Sequence, residues 1–305
     1  MVGQGALVVL LLAILFSWPC RAHAEARETR ESSGISESRP EKLTGPTASP
    51  DGIKQTGPFG AVRSVGQAVL ADIGYVLTSP LRMDRQSVLI AGGVGLTIGG
   101  LMVVDKSIQR AFQENRTDTN NEIADTLEEI GFGRNVLMAN VGLIGAGWLF
   151  REHEAGNKLM RTALVSLESQ LFTEPLVGLT KFAVGRARPD AGEGTQSYDP
   201  FEGFDKSFPS SHAARTFAVA AVFADAYPQP IPFLVYTGAA LISLSRIYLN
   251  EHFASDVFAG AALGFAIGNA LSWRHQHPDA LRGWSVLPFV PAARGGLGLT
   301  VECRF

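Results

Sequence analysis

The chain has 305 residues, room for one sizeable core or two smaller ones. Of these residues 46% are hydrophobic and the mean hydropathy is +0.13, which points to a membrane protein or a very apolar helical bundle. The net charge of −3 says nothing about partners, and the absence of a basic stripe with interleaved aromatics excludes nucleic acid.

At the N-terminus residues 6–16 form an apolar run too short to span a bilayer comfortably, and Ala22-His23-Ala24 follows as a small-x-small cleavage site. Residues 1–24 are therefore expected to be a secretory signal peptide, with an uncleaved anchor as the alternative. This implies an exported chain in a bacterial-type periplasm. Trp18 and Pro19 before Cys20 argue against lipidation. With Cys20 removed, Cys303 is left alone, so neither an intramolecular disulfide nor a thiolate metal cluster is expected. Residues 25–58 are rich in Glu, Arg, Ser, Thr, Pro and Gly, a composition too polar to offset chain entropy, and read as a disordered linker.

Residues 59–274 read as the folded domain. An amphipathic helix is expected over 61–81, and six apolar segments follow at 87–104, 135–150, 159–182, 213–227, 231–249 and 253–273. None alternates with period two, and Ala, Leu and Gly dominate, so the expectation is an all-α bundle of about six apolar helices. Within the polar stretch 105–134, residues 121–130 suggest a short surface helix ending at Gly131. Segment 87–104 is uncharged and long enough to cross a membrane, whereas 159–182 carries Arg161, Glu168 and Glu174; charges there are costly in lipid. The bundle is membrane-bound or a membrane-associated periplasmic body, and the sequence does not choose. Residues 275–305 are expected to form a C-terminal extension with a short β-hairpin, its second arm alternating Leu297, Leu299, Val301, Cys303 and Phe305.

Three polar clusters sit at ends of the apolar segments. Residues 245–256 hold Arg246, His252 and Asp256. If the part after Glu251 is helical, His252 and Asp256 share a face, so the carboxylate can orient the imidazole and leave its other nitrogen for chemistry. The plainer reading is a capped helix start with a satisfied histidine. Lys181 and Arg188, seven residues apart, fall on one face of a helix that Pro189 would end, and their cations suit a dianion; a basic flank that snorkels is the alternative. Ser207-Phe208-Pro209-Ser210-Ser211-His212 precedes the segment 213–227. There a serine cap and free amides make either an anion cradle or an ordinary helix start.

Taken together, Lys181-x6-Arg188-Pro189, Pro209-Ser210-Ser211-His212 and Ser245-Arg246-x5-His252-x3-Asp256 resemble the three motifs of the type 2 phosphatidic acid phosphatase superfamily. That superfamily also contains bacterial class A acid phosphatases and vanadium haloperoxidases. The resemblance covers about residues 159–270. Ser211 stands where the second motif usually has glycine, and its side chain is expected to crowd the approach of an anion. The resemblance implies that His252 is the nucleophile, Asp256 orients it and His212 protonates the leaving oxygen. It further implies that Lys181, Arg188, Ser210, Ser211 and Arg246 hold the phosphoryl oxygens. Arg186 is read as a flanking residue. No metal or other cofactor is implied, since the cations supply the positive charge. The function so implied is metal-independent hydrolysis, through a phosphohistidine on the extracytoplasmic side, of a phospholipid or isoprenoid phosphate; no protein partner is expected. Candidate lipids are phosphatidate, phosphatidylglycerol phosphate and undecaprenyl diphosphate. The alternatives are a vanadium haloperoxidase, with vanadate as cofactor, and a non-catalytic envelope protein.

Overall fold

The structure, a computed structural model, describes residues 84–277 together with 284–289 and 298–303. The expected signal peptide, linker and 61–81 helix lie outside these residues. Seven α-helices are described: α1 Arg85–Glu114, α2 Asp118–Gly131, α3 Gly133–Leu149, α4 Glu154–Val184, α5 Ser211–Ala226, α6 Ile231–Tyr248 and α7 Ala254–Gln276. All six apolar segments are helical, as is the short surface segment.

Local chemistry sets several boundaries. The Asp84 carboxylate accepts from the Ser87 amide at 2.8 Å to start α1, and Thr117 caps α2 in the same way. At the far end of α4, Gly185 adopts φ 67°, with its amide on the Lys181 carbonyl at 2.8 Å. A Cβ there would collide with the Asp199 backbone, so only glycine turns the chain at this point.

The centre of the bundle is α5 packed on α7. Gly260, Gly264 and Gly268 recur every four residues on α7 and lie against the Ser210, Ala214 and Ala218 carbonyls of the α5 strand of chain. Buried Ala213, Ala214, Ala218 and Ala221 make the opposing surface. Leu263, Ile267 and Leu271 of α7 join Val177 of α4 in the apolar core, each side chain worth roughly 1.5–3 kcal/mol. Of the charges named in segment 159–182, Glu174 pairs with Arg215 and Glu168 with His275 at 2.6 Å, while Arg161 is exposed. Helices α1, α6 and α7 are long and apolar enough to cross a membrane.

The expected hairpin is a separate unit. Strands β1 Trp284–Phe289 and β2 Gly298–Cys303 pair antiparallel, with Trp284 opposite Cys303 and Phe289 opposite Gly298. The connecting residues lie outside those described.

Candidate active site

Each of the three clusters sits where a helix begins or ends. Helix α4 stops at Val184, so Arg188 is not on its surface but in the extended segment before a 3₁₀ turn at Pro189–Ala191. The seven-residue helical spacing expected for Lys181 and Arg188 therefore does not exist. Gly185, not Pro189, ends the helix, and the chain turns back so that both cations line one cavity of about 430 Å³ with Phe204 and Ser211. The Lys181 ammonium donates to the Lys206 carbonyl. Arg188 is paired with Glu251 and, at 2.6 Å, with Asp205.

The Ser207–His212 cluster leads into α5, and its backbone is bound to the other two clusters. The Ser207 amide donates to the Arg186 carbonyl at 2.7 Å, and the Ser210 amide to the Asp256 carbonyl at 3.0 Å. Ser210 is the residue before α5, yet its hydroxyl makes no capping bond, contrary to the expected serine cap. The first-turn amides thus lack a side-chain acceptor at the positive end of the helix dipole. Ser211, the first residue of α5, lines the same cavity as Lys181 and Arg188.

Helix α7 begins at Ala254, so His252 precedes it and does not share a helical face with Asp256. The loop is held on the end of α6, where the Arg246 carbonyl accepts from the amides of Glu251 and His252. His252 Nδ1 stands 3.9 Å from Asp256 Oδ2, beyond hydrogen-bond range. The link runs through Ser207, whose Oγ is 3.3 Å from His252 Nδ1 and donates to Asp256 Oδ2 at 2.5 Å. With Nδ1 as the protonated nitrogen, the imidazole donates to Ser207, and Nε2 carries the lone pair. Asp256 Oδ2 also accepts from the Phe253 amide at 2.8 Å.

Arg246 is buried, with Glu128 at 2.6 Å and Glu251 at 3.5 Å. Arg188 Nε, Ser210 Oγ, His212 Nε2 and Arg246 Nε are all buried without a hydrogen-bond partner. Buried polar atoms are rarely left so, and four of them from the three clusters are polar groups suited to the oxygens of an anion.

Burial lowers the His252 imidazole to about 4, with Lys181 and Arg188 adding to the shift and the Asp256 carboxylate opposing it. Burial also takes His212 down to about 2, helped by Arg246 and Arg215, and holds the Lys181 amine, beside Arg188, at about 8. At neutral pH both imidazoles are uncharged and Lys181 is mostly cationic. A bound anion, being negative, would raise His212 toward the range of a proton donor.

Residues 161–278 match the PAP2 superfamily. The likeness to that superfamily is confined to this segment. Among its relatives, the lipid A 1-phosphatase of Porphyromonas gingivalis is 34% identical over 140 residues, covering 45% of this chain and 28% of that protein. The lipid A 1-phosphatase of Rhizobium etli is 32% identical over 152 residues, 44% of this chain and 63% of that protein. Phosphatidylglycerophosphatase B of Bacillus subtilis is 29% identical over 174 residues, 53% and 79%. The chain thus spans less than two thirds of the length of either lipid A enzyme.

All eight candidate site residues lie inside the PAP2 segment, and the three clusters come together in one region. Sequence reasoning missed the residues that hold them in place. Arg186, read as a flank, is fully buried. Its guanidinium donates to Asp256 Oδ1 at 2.6 Å, Ser255 Oγ at 2.6 Å and Asp105 Oδ2 at 2.9 Å, and lies 4.3 Å from the Phe253 ring centre. A second arginine within a basic flank gave no reason to single it out. Asp105 opens the polar stretch 105–134 directly after an uncharged apolar run, and a carboxylate in that position is a usable signal. Ser207 opens the Ser207–His212 cluster, and its spacing alone gives it no role. Glu251 faces both site arginines.

Proposed function

We propose that the chain is a lipid phosphate phosphatase acting outside the cytoplasm through a phosphohistidine on His252. The observation that carries this reading is the orientation of His252 by Ser207 and Asp256 beside unpartnered donors of Arg188, Ser210, His212 and Arg246. The match to the PAP2 superfamily and relatives named as phosphatases of lipid A and phosphatidylglycerophosphate support the same class. The extracytoplasmic side rests on the export signal read at residues 1–24.

In this mechanism the phosphoryl oxygens are held by Lys181, Arg188 and Arg246, with Ser210 and the first amides of α5 completing the shell; three cations do the charge work for which other phosphatases use a metal. His252 Nε2 attacks phosphorus as the bond to the lipid oxygen breaks, and His212 gives that oxygen its proton. The Nδ1 proton stays on His252, and Ser207 passes the effect of the Asp256 charge to the growing imidazolium. Water then attacks the phosphohistidine, His212 takes its proton, and inorganic phosphate leaves with His252 restored. Substrate binding displaces the carboxylates of Glu251 and Asp205 from Arg188.

The test is phosphate release by the purified full chain from phosphatidate, phosphatidylglycerol phosphate, undecaprenyl diphosphate and lipid A. His252→Ala should lower turnover on the preferred lipid by about three orders of magnitude or more, and radiolabelled substrate should leave an acid-labile label on the wild-type protein only. A folded His252→Ala protein with near-normal turnover would rule the proposal out.

A further inference from the structure

Helix α4 is turned inside out. Its buried residues are mainly polar, including Thr162, Ser166, Ser169, Gln170, Thr173 and Thr180, whereas from Leu164 to Val184 the exposed residues are Leu164, Leu171, Pro175 and Leu179, and the two partly exposed carboxylates among them, Glu168 and Glu174, are paired with His275 and Arg215. At 1.5 Å per residue, this outward stripe runs about 27 Å from Leu164 to Phe182. It ends beside the cavity lined by Lys181 and Arg188.

Three phenylalanines stand at that end. The Phe182 ring stacks on Phe204 at 5.1 Å and meets Phe201 edge-on at 5.5 Å. Phe201 and Phe204 are 63% and 62% exposed, and Phe204 is also a wall of the cavity. Phe201 has φ 66°, a left-handed conformation unfavourable to a bulky side chain, and is pinned there by its amide on the Phe182 carbonyl at 2.7 Å. A strained backbone that displays an aromatic ring to the outside, next to an anion pocket, suits a ring with something to bind.

Resting on the phosphatase reading, we propose that the α4 stripe and its aromatic lip receive the hydrocarbon chain of the phosphate-bearing lipid substrate. The cations fix the phosphate, and the chain that leaves it passes over Phe204 and Phe201 onto Leu179, Pro175 and Leu171. The lip thereby selects lipid phosphates over soluble phosphate esters, and the occupant is the substrate's own chain rather than the surrounding bilayer.

Phe201→Gly tests this cleanly, because glycine accepts φ 66° without strain and the variant should fold at least as well as the parent. Leu179→Gln interrupts the stripe farther from the cations. In detergent, each should lower kcat/KM on dioleoyl phosphatidate by about 10- to 100-fold, mainly through KM, the loss expected from withdrawing one large apolar contact. Turnover of dibutyryl phosphatidate and p-nitrophenyl phosphate should stay within about twofold of the parent, as both substrates are too short to reach the stripe. Equal losses on long and short substrates, or no loss on the long one, would overturn the proposal. So would loss of binding to phosphate-free phosphatidylcholine vesicles, which would make the bilayer the occupant. A parent enzyme active on short esters alone would sink the lip and leave the phosphatase reading standing; one that releases phosphate from none would sink both.

Discussion

His252 is held by a row of buried groups and not by Asp256 alone. Asp256 Oδ2 is 3.9 Å from the imidazole and Ser207 Oγ is interposed, so the carboxylate acts on the imidazole through a hydroxyl. If so, the two residues work as a unit, and their removal is not additive. Ser207→Ala is expected to lower kcat by about 10- to 100-fold, and to cost almost nothing more when made in an Asp256→Asn background. The pH profile provides a second readout. With His252 as the proposed nucleophile its neutral form reacts, so kcat/KM should fall as pH drops through about 4, where burial sets its ionisation, and should fall again as pH rises through about 8 and Lys181 loses its charge. Without Ser207 the imidazolium loses support, its ionisation moves lower, and the acid limb moves to lower pH. Additive losses, or an acid limb that stays in place, would show that Ser207 only fills space.

The elements meet closely because α7 presents glycine every fourth residue to the α5 backbone. A Cβ at Gly264 would strike the Ala214 carbonyl group, so Gly264→Ala must push the two helices apart. This is expected to cost about 1–3 kcal/mol in spite of alanine's better helix propensity. Gly99 in α1 has open space around it, and Gly99→Ala should be neutral or stabilise by up to about 1 kcal/mol. Chemical-denaturation midpoints of the two variants in detergent should move in opposite directions; a Gly264→Ala protein as stable as the parent would mean the helices are looser than described. These same contacts explain what the sequence could show. Apolar runs of Ala, Leu and Gly announced each helix, since length and periodicity are local properties. The helix ends that shape the site were less visible: α4 stops at Gly185 and α7 starts at Ala254 because of turns made against the Asp199 and Arg246 backbones, which lie outside the two helices.

For the whole molecule, the site depends on more than the segment the PAP2 superfamily matches. The motif residues were legible because their chemistry is concentrated in short runs. The frame behind them was not, since Asp105 and Arg186 are 81 residues apart and neither stands out alone. Arg186 lies between two buried carboxylates, Asp105 on α1 and Asp256 at the start of α7, with all three side chains at 0% exposure. Asp105 also accepts from the Ser255 amide at 3.0 Å, so α1 is tied both to Arg186 and to the start of α7. The burial of two acids with one base is tolerable only while their hydrogen bonds are complete, and removal of one partner exposes the desolvation cost of the others. Asp105→Ala leaves Arg186 and Asp256 as a matched pair but strips an acceptor from the Arg186 guanidinium and from the Ser255 amide and hydroxyl, and should destabilise the chain by about 1–3 kcal/mol. In whatever fraction stays folded at low temperature it should also lower kcat more than it raises KM, because Arg186 and with it Asp256 lose their fixed position while Lys181, Arg188 and Arg246 do not. Asp105→Asn, which keeps one acceptor for Arg186, should fall between Asp105→Ala and the parent on both measures. If Asp105→Ala unfolds and turns over like the parent, α1 is a neighbour of the active site and no part of its support.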